Sequence, residues 1–142
     1  MPRAEPAPVE PASVLDASAL MAWLQDEDGA PVVVEALSAG AAVSVVNWAE
    51  VLSNIAANGD DPQQVAERLL KTESADLELL IEPITEADCV EIAKLRPITK
   101  AQGLSRADRA CLVLAARLGV PALTTDRTWA DTEVDAEVKL IR

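Results

Sequence analysis

The chain has 142 residues, half of them apolar, a length that suits one domain around one buried core. Histidine is absent, which excludes Ser-His-Asp and Cys-His catalysis and imidazole metal sites, so carboxylates must carry any catalysis. A formal net charge of −12 argues against a phosphate partner at first sight, and the lack of Phe and Tyr disfavours a platform that stacks successive bases.

No apolar run approaches the ~18 residues of a membrane helix, and the N-terminal dozen lacks the apolar stretch of a signal peptide. A soluble, cytoplasmic protein with no membrane contact is expected. Residues 1–12 hold four of the nine prolines and no periodic pattern, and read as a flexible extension. The domain is expected over residues 13–142.

Ser13-Val-Leu reads as a strand ending in Asp16, followed by a helix through Ala19, Leu20, Trp23 and Leu24. A short helix is expected over 31–39, closed by Gly40, and Ala42-Val-Ser-Val-Val reads as a second strand. Asn47 is expected to start a helix through Val51, Leu52 and Ile55 that ends at Asn58-Gly59. Another should run from Pro62 to Thr72. Leu77-Glu-Leu-Leu-Ile is the next strand, Thr85 opens a helix that Pro97 ends or kinks, and Ser105 opens a helix capped by Gly119. Pro121-Ala-Leu-Thr is a strand, a helical turn follows Asp126, and Val138-Lys-Leu-Ile is the last strand. Such alternation predicts a parallel sheet covered by helices on both faces, with ligands beyond the carboxyl ends of its strands.

Asp16, Glu50, Asp108 and Asp126 are each read as marking a helix start on that edge. Singly they resemble caps, with Asn47-Trp-Ala-Glu50 and Ser105-Arg-Ala-Asp108 spaced as capping boxes. Thr85-Glu-Ala-Asp88 has the same spacing and is assigned no chemistry. Convergence is what distinguishes the four: they should crowd at one edge although they lie far apart in the chain. Carboxylates so placed repel one another unless a cation is supplied, and oxygen donors without His or Cys suit Mg²⁺ or Mn²⁺. Lys94, Arg96, Lys100, Arg106, Arg109 and Arg117 make up half of the twelve basic residues, and only Asp108 opposes them between positions 94 and 117. An acidic metal pocket beside a basic band suits phosphodiester hydrolysis, in which a metal-bound water attacks. Arg106 and Arg109, flanking Asp108, are candidates for contacting substrate phosphates. Asp131 reads as an exposed acid, at least two of Trp23, Trp48 and Trp129 as buried, and Cys89 and Cys111 as small buried helix residues.

The strings Val14-Leu-Asp16-Ala-Ser18, Asn47-Trp-Ala-Glu50, Leu104-Ser-Arg-Ala-Asp108 and Leu123-Thr-Thr-Asp126-Arg-Thr-Trp129 together resemble the PIN domain of VapC-type toxins. The resemblance implies a three-layer α/β/α sandwich around a central parallel sheet and a Mg²⁺- or Mn²⁺-dependent endoribonuclease. Asp16, Glu50, Asp108 and Asp126 fall on the family's acidic quartet. Thr124 matches a hydroxyl that supports the metal or its water, and Ser18 is expected to help by hydrogen bonding. It also implies an RNA substrate, a small cognate antitoxin, a homodimer and a toxin–antitoxin hetero-oligomer. One competing reading is a catalytically idle PIN-fold module that regulates through its antitoxin. Another, a phosphotransferase with Asp16 as nucleophile, would want a second aspartate where Ser18 stands.

Overall fold

Strands β1 (Ser13–Leu15), β2 (Ala41–Ser44), β3 (Leu79–Glu82), β4 (Ala122–Thr124) and β5 (Val138–Leu140) form a sheet in the order β3-β2-β1-β4-β5, with every pairing parallel. These coordinates are a computed structural model that describes residues 10–70 and 76–142. Most of the expected extension over 1–12, and the end of the expected Pro62–Thr72 helix, lie outside the described residues. Among the described residues, no helix is long and apolar enough to cross a membrane.

Because side chains alternate across a strand, a sheet covered on both faces needs strands that are apolar at every position. Leu15, Ala41, Val43 and Leu123 point to one face, where they pack with Leu20, Val33, Leu37, Val51 and Ile55. These last residues belong to helices α1 (Ala17–Leu24), α2 (Ala30–Ala39) and α3 (Val45–Ala57), and Val65 and Leu69 of α4 (Pro62–Leu70) pack against the same cluster. Val14, Ala42 and Ala122 point to the other face, against Cys111, Leu112, Leu114 and Ala115 of α6 (Arg106–Leu118). Helix α5 (Glu86–Ile98) lies against α6 through Ile92, Ala110 and Val113. The result is the expected three-layer α/β/α sandwich.

Two local expectations are corrected. The second strand stops at Ser44, and Val45 and Val46 form the first turn of α3. Their β-branched side chains favour a strand, but the Ser44 hydroxyl accepts from the Asn47 N–H at 3.0 Å and caps the helix one turn earlier than Asn47 would. Glu50 therefore sits in the second turn and caps nothing. Ser44→Ala should cost about 1–2 kcal/mol by chemical denaturation, the range for a lost N-cap. The second correction concerns Cys89, which is exposed, whereas Cys111 is buried as expected. Trp48 and Trp129 are buried, and Trp23 is half-buried.

Pro97 sits in the last turn of α5, which ends one residue later, and Gly119 closes α6 in the left-handed conformation, φ 70°.

Candidate active site

In the strand order β3-β2-β1-β4-β5 the chain winds outward in both directions from β1, so crossovers diverge between β1 and β4 and leave a crevice at their carboxyl ends. Asp16 follows β1, Thr124 ends β4, and Asp126 lies two residues further on. The Asp16 N–H donates to the Leu123 carbonyl at 3.1 Å, which fixes the acid against β4.

Asp16 is only 3% exposed. Its carboxylate is held by neutral donors: the Ser18 hydroxyl at 2.7 and 2.9 Å, the Thr124 hydroxyl at 2.6 Å and the Ala19 N–H at 2.8 Å. Both hydroxyls are fixed in turn. Ser18 Oγ accepts from the Thr125 N–H and Thr124 Oγ1 from the Asp126 N–H, each at 3.1 Å. Burial raises the Asp16 pKa to about 6 against the pull of those three donors, and the charge of Asp108 adds to the rise. None of the ion pairs among the described residues includes Asp16.

Asp88 shows what a structural carboxylate of this fold looks like. It is equally buried, and burial alone would push its pKa up. The Thr85 N–H at 2.9 Å and the Arg117 guanidinium, with Nε 3.1 Å from Oδ1 and Nη2 3.0 Å from Oδ2, outweigh that effect and hold it below the usual carboxylate range. Asp88 has its cation; Asp16 lacks one.

Glu50 is exposed on α3, and its pKa is raised by partial burial and then by the Asp108 charge, with the Asn47 amide working the other way. Asp108 closes the Ser105 capping box, its Oδ2 accepting from the Ser105 N–H at 2.8 Å. It is thus a cap whose charge also reaches Asp16 and Glu50. Asp126 is exposed and caps the 3-10 turn Arg127–Asp131, its Oδ1 taking both the N–H (3.0 Å) and the hydroxyl (2.7 Å) of Thr128. Among the described residues, no three acidic or thiol side chains come together as a metal site, while the Asp108 charge bears on both Asp16 and Glu50.

Two residues that hold the site together were read from the sequence only as helix punctuation or not at all. Asn47 is fully buried, accepts from the Ser44 hydroxyl at 2.5 Å and donates through Nδ2 to the Ala107 carbonyl at 3.1 Å. That bond ties the start of α3, which carries Glu50, to the residue before Asp108. A serine three positions ahead of an asparagine was the available signal. On the basic side, Arg109 is buried and donates to the Ile92 carbonyl at 2.7 Å, while Lys94 pairs with Glu91 and Arg117 with Asp88. Arg106 is exposed and makes no hydrogen bond or ion pair among the described residues. Asp131 is exposed.

The sequence pattern of the PIN domain matches residues 13–134. The chain belongs to the PIN-domain family. Among curated proteins no relative matches. Solved structures extend the likeness to toxins of toxin–antitoxin pairs. A toxin–antitoxin complex from Klebsiella pneumoniae superposes with TM-score 0.69 at 18% identity, covering 92% of this chain and 98% of the other. VapBC2 from Rickettsia felis, bound to a DNA fragment from its promoter, gives 0.68 at 15%, covering 90% and 97%. VapBC-5 from Mycobacterium tuberculosis, a member of the VapBC family of toxin–antitoxin systems, gives 0.51 at 28%, covering 93% and 99%. The PIN fold thus spans nearly the whole chain, and the crevice between β1 and β4 lies within it.

Proposed function

We propose that this PIN domain is the toxin of a toxin–antitoxin pair and hydrolyses RNA phosphodiester bonds with a divalent cation, Mg²⁺ or Mn²⁺. The observation that carries the proposal is Asp16: a buried carboxylate at the switch point, surrounded by neutral donors and within the field of a second acid, with no cation to offset it. The donor chemistry fits a hard divalent ion, since every candidate ligand is a carboxylate oxygen. Asp16, Glu50, Asp108 and Asp126 are the residues that would hold it. When bound, such an ion supplies the missing positive charge, lowers the pKa of a water and neutralises charge on the phosphate.

The remaining roles fall to the chain's own side chains. Ser18 and Thr124 orient the Asp16 carboxylate, and Thr124 also reaches the Asp126 N–H, so one hydroxyl couples the ends of both central strands. Arg106 and Arg109, the neighbours of Asp108 on α6, would hold substrate phosphate on the flank of the site. By likeness to the Klebsiella and Rickettsia complexes, we infer a cognate antitoxin and a toxin–antitoxin hetero-oligomer; the resemblance to VapC-type toxins further implies that the antitoxin is small, that the chain forms a homodimer and that it acts in the cytoplasm.

The absence of a closed three-ligand set among the described residues favours a second reading, a PIN module that binds and regulates without turnover. One experiment separates the two. The purified chain, freed of partner, is incubated with cellular RNA in Mg²⁺, in Mn²⁺ and in excess EDTA, and its melting temperature is followed in parallel. Cleavage that stops in EDTA, together with a melting temperature that rises with Mg²⁺, is the expected result. Intact RNA and a melting temperature indifferent to Mg²⁺ would establish the idle module.

A further inference from the structure

On the α5 side of the acids, a cavity of about 360 Å³ lies between the first turn of α3, the body of α5 and the start of α6. That is within the range of small-ligand sites, and its walls are mostly apolar, with Val46, Ile84 and Ile92 among them. Three arginines line it as well: Arg96, Arg106 and Arg109. Arg96 and Arg106 are exposed and, among the described residues, make no hydrogen bond or ion pair. Arg109 is 7% exposed; one of its nitrogens serves the Ile92 carbonyl, but its Nε is buried without a partner. The three guanidinium groups thus line one cavity.

A buried, under-bonded guanidinium flanked by two free ones is an unfilled anion site, and an apolar wall beside it suits a flat, weakly polar group. RNA supplies both from one unit. We propose that this cavity takes one nucleotide of the RNA strand next to the bond to be cut, its phosphate on Arg96, Arg106 and Arg109 and its base against the apolar wall and a guanidinium plane. The proposal rests on the ribonuclease reading above, and it deepens it: the pocket shares α3 and α6 with Glu50 and Asp108, so a nucleotide held there positions the neighbouring phosphodiester at the acids. An acidic peptide segment is the competing occupant, but it would leave the apolar wall without a planar group to cover.

Cys89 provides a built-in reporter. It lines the cavity and is exposed, whereas the Cys111 thiol is buried and its pKa is pushed well up by burial and by Asp16 and Asp108. Only Cys89 should react quickly with N-ethylmaleimide. The rate of labelling is measured on the full chain in Mg²⁺ with a short single-stranded 2′-O-methyl oligonucleotide, with inorganic phosphate or with a Glu-rich peptide. The expected result is protection by the oligonucleotide alone, lost in an Arg96→Gln, Arg106→Gln double variant. In the wild type, log affinity for the oligonucleotide should fall with log salt, and the double variant should flatten that slope by about 0.7, one single-strand phosphate contact. Oligonucleotide that binds without slowing Cys89, or fails to bind, overturns the pocket; so does equal protection by phosphate or by the peptide. RNA cleavage without protection leaves the nuclease standing and removes the pocket, whereas protection without Mg²⁺-dependent cleavage of ordinary RNA does the reverse.

Discussion

Asp16→Asn should abolish Mg²⁺-dependent RNA cleavage, a fall of about 10²-fold or more, and in EDTA should make the folded chain more stable at pH 8. Both effects come from one charge. The Asn side chain keeps the shape and one acceptor for Ser18, Thr124 or Ala19 but cannot be the anion a cation needs. The stability change follows from protonation. Burial lifts the Asp16 pKa from 3.8 to about 6, so the folded chain holds that proton more tightly than the unfolded chain does. Well below pH 3.8 the acid is protonated in both states and costs nothing; the cost builds as pH rises from there through about 6, above which it reaches up to about 3 kcal/mol. The variant escapes this cost, less what a misfitting amide loses in hydrogen bonds. It should therefore melt above the wild type at pH 8 and at or below it well under pH 3.8. Retained cleavage would remove Asp16 from the reaction, and a variant less stable at pH 8 would show that its neutral donors alone satisfy the carboxylate.

Asp88→Ala should do the opposite, costing about 3 kcal/mol of stability while leaving cleavage at 25 °C unchanged. The cost combines a lost capping-box acceptor, about 1 kcal/mol, with two hydrogen bonds from Arg117 to a buried carboxylate, worth about 1.5–3 kcal/mol for a charged group. A melting temperature lower by roughly 10 °C would match it. The pH dependence is reversed as well. Because the Asp88 pKa is lowered in the fold, its contribution is full above the ordinary carboxylate range and is lost as pH falls through the folded value. Cleavage lost at a temperature where the variant is still folded would mean that Asp88 does more than join α5 to α6.

These two aspartates also show what the sequence did and did not reveal. Spacing alone treated Asp88 and Asp108 alike, as the third residue after a Thr or Ser cap, and both capping boxes form. Their fates diverge because Arg117, 29 residues from Asp88 in the chain, reaches one of them, and no local pattern encodes a partner at that distance. Strand and helix periodicity located the core elements, since both sheet faces are covered and β1, β2 and β4 are buried at every position. It failed at Val45-Val46, where strand propensity was overridden by the Ser44 cap. Thr124 and Ser18 were legible through the motif they share with Asp16 and Asp126, but Asn47 was not. Its role depends on the Ala107 carbonyl of a helix 60 residues later. The strand order, and with it the crevice between β1 and β4, is likewise a property of long-range pairing that the order of elements along the chain leaves open.

That strand order bears on how the molecule comes into being on a ribosome. β1 emerges early, yet it is the middle strand, and Val14 obtains its second neighbour only when Ala122 has been synthesised. The hydroxyl of Thr124 reaches Asp16 across 108 positions of sequence, so every shorter nascent chain carries the aspartate without its mate. Loop closure over such a span is slow, and domains fold as units once enough chain is available. A half-made copy therefore carries an incomplete crevice, one wall of it still unmade.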